Sequence, residues 1–298
     1  MCYYIVMWIG LLFLLGLVFG SFAGAQVWRL RASQLREDKE LKLDYDKAEY
    51  KRLVGLTGSK LSDDRSRCLS CRHELAWYDL LPLVSWLSTG GRCRYCRRRI
   101  GWFEPTIELG TGLLFAVSYV FWPVELSGWL SIAQFGLWLI ISVMMVILFA
   151  YDAKWFLLPD KIVFPLIALS VVFVVMTAAL SGDVSGVLIG TLGAIGILSG
   201  IYYALWLMSG GRWIGFGDVK LGIALGLLLA NWQPAFLALF LANLIGLVVV
   251  LPGMVTKTLG KKSQIPFGPM LMLGMYLSFF FGQSIIDWYI SITMMLVV

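Results

Sequence analysis

The chain reads as an all-α polytopic membrane protein with about eight transmembrane helices and one large polar insertion between helices 1 and 2. Three observations predict this. The 298 residues are 59% hydrophobic and only 14% charged, with mean hydropathy +0.82, whereas soluble chains carry about 25% charged residues. Apolar runs near the ~20 residues that cross a bilayer recur along the whole length. Lys and Arg fall only in alternate loops.

The predicted spans are about residues 4–27, 106–121, 130–150, 161–180, 185–208, 219–230, 235–255 and 267–281, with an amphipathic end at 285–298. The first is expected to be a retained helix rather than a cleaved signal, because no base precedes it and no small-x-small site ends it. Of the 24 Lys and Arg, seventeen lie between Arg29 and Arg99, and the rest flank spans 3, 5 and 7. The opposite loops hold Glu125, Asp183 and Asp287 and no base. The positive-inside rule therefore makes the insertion cytoplasmic and puts both termini outside.

Span 1 ends on Gly20-Ser21-Phe22, small residues that suit close helix packing, with Arg29 at the interface. Residues 31–67 carry dense charge of both signs, as in Arg36-Glu37-Asp38-Lys39-Glu40. Such a stretch is expected not to order itself, or to form a solvated helix with i,i+4 pairs.

Cys68-Leu69-Ser70-Cys71 and Cys93-Arg94-Tyr95-Cys96 are two C-x2-C knuckles with 21 residues between them. Four thiolates so spaced can close a tetrahedron around zinc, a structural site with no open position. Two disulfides or four free thiols are the other readings, and a reducing cytoplasm argues against the disulfides. The insertion is thus a cytoplasmic zinc-binding one. His73 is expected to stand aside, and Arg92, Arg94, Arg97, Arg98 and Arg99 to favour thiolate or to read lipid phosphates. Between the knuckles, Trp77 to Leu87 is too apolar for a free loop and should lie on the membrane surface or on the bundle.

The chemistry centres on acids at membrane edges, which are costly and hence functional candidates. Glu108, one turn into span 2, is either a paired interfacial acid or a contact for a basic substrate or cofactor group. Asp152 ends span 3, where an acid opposes the helix dipole. Asp160, after Leu157-Leu158-Pro159, suits a helix cap. Asp218 follows Gly215-Phe216-Gly217 and opens a helix on the same membrane face as Asp152. Ile265-Pro266-Phe267-Gly268-Pro269 re-enters the membrane through broken backbone, which is tolerated where it lines a cavity. Two neighbouring carboxylates share a proton, so one can activate water while the other protonates a carbonyl, which is peptide hydrolysis without a catalytic metal. The single histidine sits in the cysteine module, which removes H-E-x-x-H and Ser-His-Asp sites from consideration.

Taken together, these motifs resemble the type IV prepilin peptidases, bifunctional leader peptidases and N-methyltransferases of the GxGD aspartyl protease class. The resemblance is carried by Gly20-Ser21-Phe22 with Arg29, both knuckles, Pro82 to Leu87 before Gly90-Gly91-Arg92-Cys93, Glu108, Asp152 with Leu157 to Asp160, Gly215 to Lys220, and Ile265 to Pro269. It implies that Asp152 and Asp218 are the catalytic pair and that Cys68, Cys71, Cys93 and Cys96 hold zinc. It further implies cleavage of the basic leaders of prepilins or type II secretion pseudopilins at the cytoplasmic face of the bacterial inner membrane. Methylation of the new N-terminus from S-adenosylmethionine would follow, with that cofactor between Gly91 and Glu108. The partners expected are these substrates and membrane lipid, and no nucleic acid. The domain division expected is 1–29 for the first transmembrane helix, 30–104 for the zinc-binding domain and 105–298 for the embedded protease. Gly24, where the family usually has Asn, and Lys154, where it usually has a second acid, depart from the pattern. A presenilin-like intramembrane protease and a non-catalytic, zinc-stabilised assembly subunit are the competing readings; the four cysteines argue against the first.

Overall fold

The computed structural model describes residues 2–56, 65–256 and 265–297. Among them the chain is helical, without strands beyond two isolated bridges, Arg67 with Glu74 and Arg92 with Arg99. Two compact units emerge, residues 1–120 and 121–298.

In the first unit, α1 (Cys2–Glu40) and α4 (Phe103–Val120) pack against each other. Between them lie α2 (Lys47–Leu53), the cysteine module and α3 (Val84–Ser88). The expectation for residues 31–67 holds in part as far as Leu56: the stretch is helical with the exposed i,i+4 pair Arg36–Glu40, but it is packed rather than wholly solvated; residues 57–64 lie outside the described residues. The helix of span 1 does not stop at the interface but runs on to Glu40, and α2 folds back on it. The reason is hidden in the charge pattern: Ala32, Leu35 and Leu53 recur at helical spacing and are buried, and Arg31 pairs with Glu49 at 2.7 Å. Asp46 caps α2 by accepting from the Ala48 and Glu49 N–H groups. A Cβ added at Gly24 would meet open space, so the departure from the family's Asn disturbs no packing.

The second unit holds α5 (Trp129–Trp155), α6 (Asp160–Ser181), α7 (Val184–Ser209), α8 (Phe216–Leu229), α9 (Trp232–Val255) and α10 (Gly268–Val297). Among the described residues six helices, α1, α5, α6, α7, α9 and α10, are long and apolar enough to cross a membrane. The other two of the expected eight differ for physical reasons. Helix α4 carries Glu104 and Glu108 within 18 residues. Helix α8 has 14 residues, roughly 21 Å, short of a ~30 Å hydrocarbon core.

That short helix is the centre of the unit. Leu221, Ala224 and Leu225 of α8 are fully buried, among Leu198, Ala194, Leu166 and Leu148. Its glycines allow backbone-to-backbone packing: a Cβ at Gly226 would lie 2.8 Å from the Ile195 nitrogen, and one at Gly222 would strike the Leu198 carbonyl. At that crossing α7 widens into a π turn, Gly196–Gly200, and the Ser199 hydroxyl donates to the Val219 carbonyl at 2.9 Å. Such turns gather at functional sites, and this one fixes α8 one residue beyond Asp218.

Candidate functional site

Asp152 lies in the last turn of α5 and is 5% exposed. Its carbonyl accepts from the N–H of Phe156, which ends the helix with φ +58°, a left-handed conformation that costs a non-glycine residue energy. This turn redirects the connector, so that Leu158 comes back beside the acid. Asp218 is the third residue of α8; its N–H donates to the Gly215 carbonyl, and the Gly215 N–H donates to its carboxylate. The two carboxyls are close enough to act on each other electrostatically.

Around them the wall is made by residues whose part was only dimly legible. The Gly268 N–H, at the start of α10, donates to the Asp152 carboxylate, while Asp152 Oδ2 is buried without a partner. A Cβ on Gly268 would lie 2.6 Å from that oxygen. A Cβ on Gly217 would lie 3.1 Å from Leu158 Cβ, so the second glycine of the Gly215-to-Asp218 motif is there for close approach rather than for an unusual φ. Tyr202 of α7, which sequence reasoning missed, is buried, feels the charge of Asp218 and packs on Phe267 with ring centroids 5.5 Å apart. Its only signal was an apolar helix passing the Gly-Asp turn. The described part of the re-entrant segment, 265–269, does border the pair; Lys257 to Gln264 lie outside the described residues.

Two neighbouring charges find other partners. Asp160 is the first residue of α6 rather than its cap, which is Pro159, and it pairs with Lys220 of α8. Lys154 is exposed, with its ammonium 4.9 Å from the Trp155 ring centroid.

In the first unit the four cysteine sulfurs lie within 4.8 Å of one another, Cys68 and Cys96 at 4.0 Å. Sulfurs about 2.3 Å from one zinc stand roughly 3.8 Å apart, so this donor set could hold that ion. Burial pushes the Cys68 thiol up to about 12. Burial also raises Cys93, but N–H donation from Cys96 and Tyr95 outweighs it and brings that thiol down to about 7. Hydrogen bonds from the neighbouring thiols of Cys68 and Cys96 act in the same direction. Arg94 pairs at 3.0 Å with Asp79, which also accepts from Tyr95 at 2.8 Å and the Ala76 N–H. His73 stacks on Tyr95 and is not one of the four donors.

Glu108 is buried, accepting from the Leu83 N–H at 2.8 Å and from the Ser21 hydroxyl. Trp86, three residues on, lies across Gly91: a Cβ there would be 3.0 Å from its ring. Gly91 and Glu108 are thus joined through one short segment, and the Trp86 indole N–H beside Gly91 is buried without a partner.

Comparison with known proteins follows this layout. The family described as "Bacterial Peptidase A24 N-terminal domain" matches residues 14–122, and the "Type IV leader peptidase family" matches residues 138–251. Curated relatives named prepilin leader peptidase/N-methyltransferase include one from Aeromonas salmonicida (strain A449), 30% identical over 294 residues, covering 96% of this chain and 94% of that protein. One from Pseudomonas aeruginosa is 30% identical over 290 residues, covering 93% and 92%. One from Dickeya chrysanthemi is 31% identical over 276 residues, covering 89% of each. No solved structure matches. With paired acids in one unit, four converging thiols in the other and relatives aligned over nearly its whole length, this chain belongs to the type IV leader peptidase family.

Proposed function

We propose that this protein is a membrane-embedded aspartyl endopeptidase that removes the leader of type IV prepilins or type II secretion pseudopilins and then N-methylates the new terminus. The observation that carries the reading is that Asp152 and Asp218 lie within electrostatic reach of each other, with Asp152 Oδ2 buried and unpartnered. An acid oxygen without a hydrogen-bond donor is a poor structural element and a good place for a reacting water. One carboxylate takes a proton from that water, whose oxygen attacks the scissile carbonyl carbon. The other gives its proton to the carbonyl oxygen, and the C–N bond breaks as the amine leaves protonated. The Gly268 N–H orients Asp152, and the Gly215 N–H orients Asp218.

Residues 30–104 serve as the zinc-binding domain and 105–298 as the protease. Cys68, Cys71, Cys93 and Cys96 hold zinc structurally. S-adenosylmethionine, when bound, supplies the methyl group. Its place in this reading is between Gly91 and Glu108, where the Trp86 indole N–H is an open donor and Glu108 steadies the Leu83–Trp86 segment. In this reading the zinc module is cytoplasmic and both termini lie outside, in the inner membrane of a bacterium and surrounded by its lipid, and the distribution of Lys and Arg among the loops supports it. The test is mass spectrometry of the N-terminus of a co-expressed leader-bearing prepilin. A shortened chain carrying one methyl group is expected; an uncut leader in the presence of folded enzyme would refute the proposal.

A further inference from the structure

Within the first unit, the zinc module carries exposed apolar and basic side chains. Trp77, Val84, Leu87 and Trp102 are 76%, 59%, 69% and 69% exposed. Leu80 and Leu81 on the same segment are exposed too. Val84 and Leu87 stand three apart on α3 and so share one side of it. Surfaces of this kind in contact with water mark an interaction site.

The depth of α3 says what covers it. Trp28 donates to Glu104 at 3.0 Å, while Cβ atoms added at Gly20 and Gly16 would lie 2.6 and 2.7 Å from Glu108 Cα and the Thr111 carbonyl. Helices α1 and α4 are therefore antiparallel, and Glu108 is level with Gly20. Gly20 precedes Arg29, the first base after the apolar run, by nine residues, roughly 13 Å along the helix. The Leu83 N–H donates to Glu108 at this level. Hence α3 begins well on the membrane side of Arg29, at the boundary of headgroups and acyl chains, where exposed Trp, Val and Leu are stable.

Charge identifies the lipid. Arg92, Arg97, Arg98 and Arg99 are exposed in the same module, and Arg92 is bridged to Arg99 in antiparallel register. Like charges placed opposite each other destabilise a pair, and an anion between them relieves that.

We propose that Val84–Ser88 and its flanks are a membrane-dipping element that seats the zinc module on the cytoplasmic leaflet, with Arg92, Arg97, Arg98 and Arg99 binding the phosphates of anionic phospholipid. The inference does not rest on the proposed enzymatic activity. The full chain is reconstituted in vesicles of phosphatidylcholine, alone or mixed with phosphatidylglycerol, with photoreactive benzoylphenylalanine at Val84, Leu87, Leu113 in α4 or the exposed Lys47 in α2. Phospholipid adducts read by mass are expected at Val84, Leu87 and Leu113 and not at Lys47, with phosphatidylglycerol over-represented at Val84 and Leu87. Replacing the four arginines by Gln is expected to erode that preference, by up to roughly fivefold for each residue removed. Adducts at Leu113 alone, or adducts of Val84 and Leu87 with a second protein chain, would overturn the membrane-dipping element. Labelling indifferent to phosphatidylglycerol would overturn the anionic half of the proposal.

Discussion

Glu108 in the first unit and Asp152 in the second are both buried acids within apolar helices, yet their surroundings differ. Glu108 accepts from Ser21 and from the Leu83 N–H and holds a segment whose first residue, Leu83, has φ +57°. Asp152 receives one N–H, from Gly268, and keeps a buried oxygen with no partner, within electrostatic reach of a second acid. Burial alone does not separate a structural acid from a chemical one. The orphaned oxygen does, because a buried carboxylate oxygen that receives no donor from the protein still needs one, and a reacting water can supply it.

The largest effect that tests this contrast is in the second unit. Asp152→Asn or Asp218→Asn is expected to cut leader cleavage by purified enzyme about a hundredfold to ten-thousandfold, the range of general acid–base catalysis, without altering helicity by circular dichroism. Substantial cleavage by either variant would erase the distinction. Cys93→Ser is expected to take zinc, measured by elemental analysis, from about one ion per chain toward none. Acid should release the ion too, since protons compete for thiolates.

Gly268→Ala probes the neighbour of the unsatisfied oxygen. Its methyl group would press on Asp152 Oδ2, so cleavage should fall about tenfold, equivalent to ~1.4 kcal/mol of barrier, with little change in thermal unfolding. For Glu108→Ala the opposite pattern is expected: cleavage within about twofold, but the first unit less stable by roughly 1.5–3 kcal/mol, the worth of hydrogen bonds to a charged group. Hydrogen exchange over residues 77–91 reads that loss. Cleavage abolished together with normal protection would show that Glu108 belongs to the chemistry.

The smallest effect concerns Asp79. Burial raises its carboxyl, but Tyr95, Arg94 and the Ala76 N–H outweigh this and leave it below the usual carboxylate range. A lowered folded value means that its stabilisation is complete above the unfolded value and is lost as pH falls through the folded one. Asp79→Asn should therefore destabilise the module by about 1 kcal/mol at neutral pH, read as faster exchange at Trp77–Leu80, with the difference from the parent vanishing in acid.

Much of this was legible in the linear chain because the signals are local. Apolar run length gave six of the eight expected spans, C-x2-C spacing the thiol cluster, and an acid after Gly-Phe-Gly a helix whose first turn carries Asp218. The charged stretch after Arg29 misled, since Ala32, Leu35 and Leu53 sit sparsely among many charges and reveal a buried stripe only once α2 is seen to fold back on α1. Asp79 and Tyr202 gave little sign, because each matters through partners that spacing does not reveal.

By itself the sequence determined the membrane class, the thiol donor set and which carboxylates stand at helix ends, all properties of hydropathy and of residues a few positions apart. Only tertiary structure decided that α8 is an inner helix, that Leu158 borders both Gly217 and Gly268, and that Glu108 receives two donors while an oxygen of Asp152 is buried with none. Those facts depend on contacts between residues tens to more than a hundred positions apart. Such contacts are set by how glycine faces and apolar stripes pack, and a one-dimensional pattern constrains that packing without fixing it.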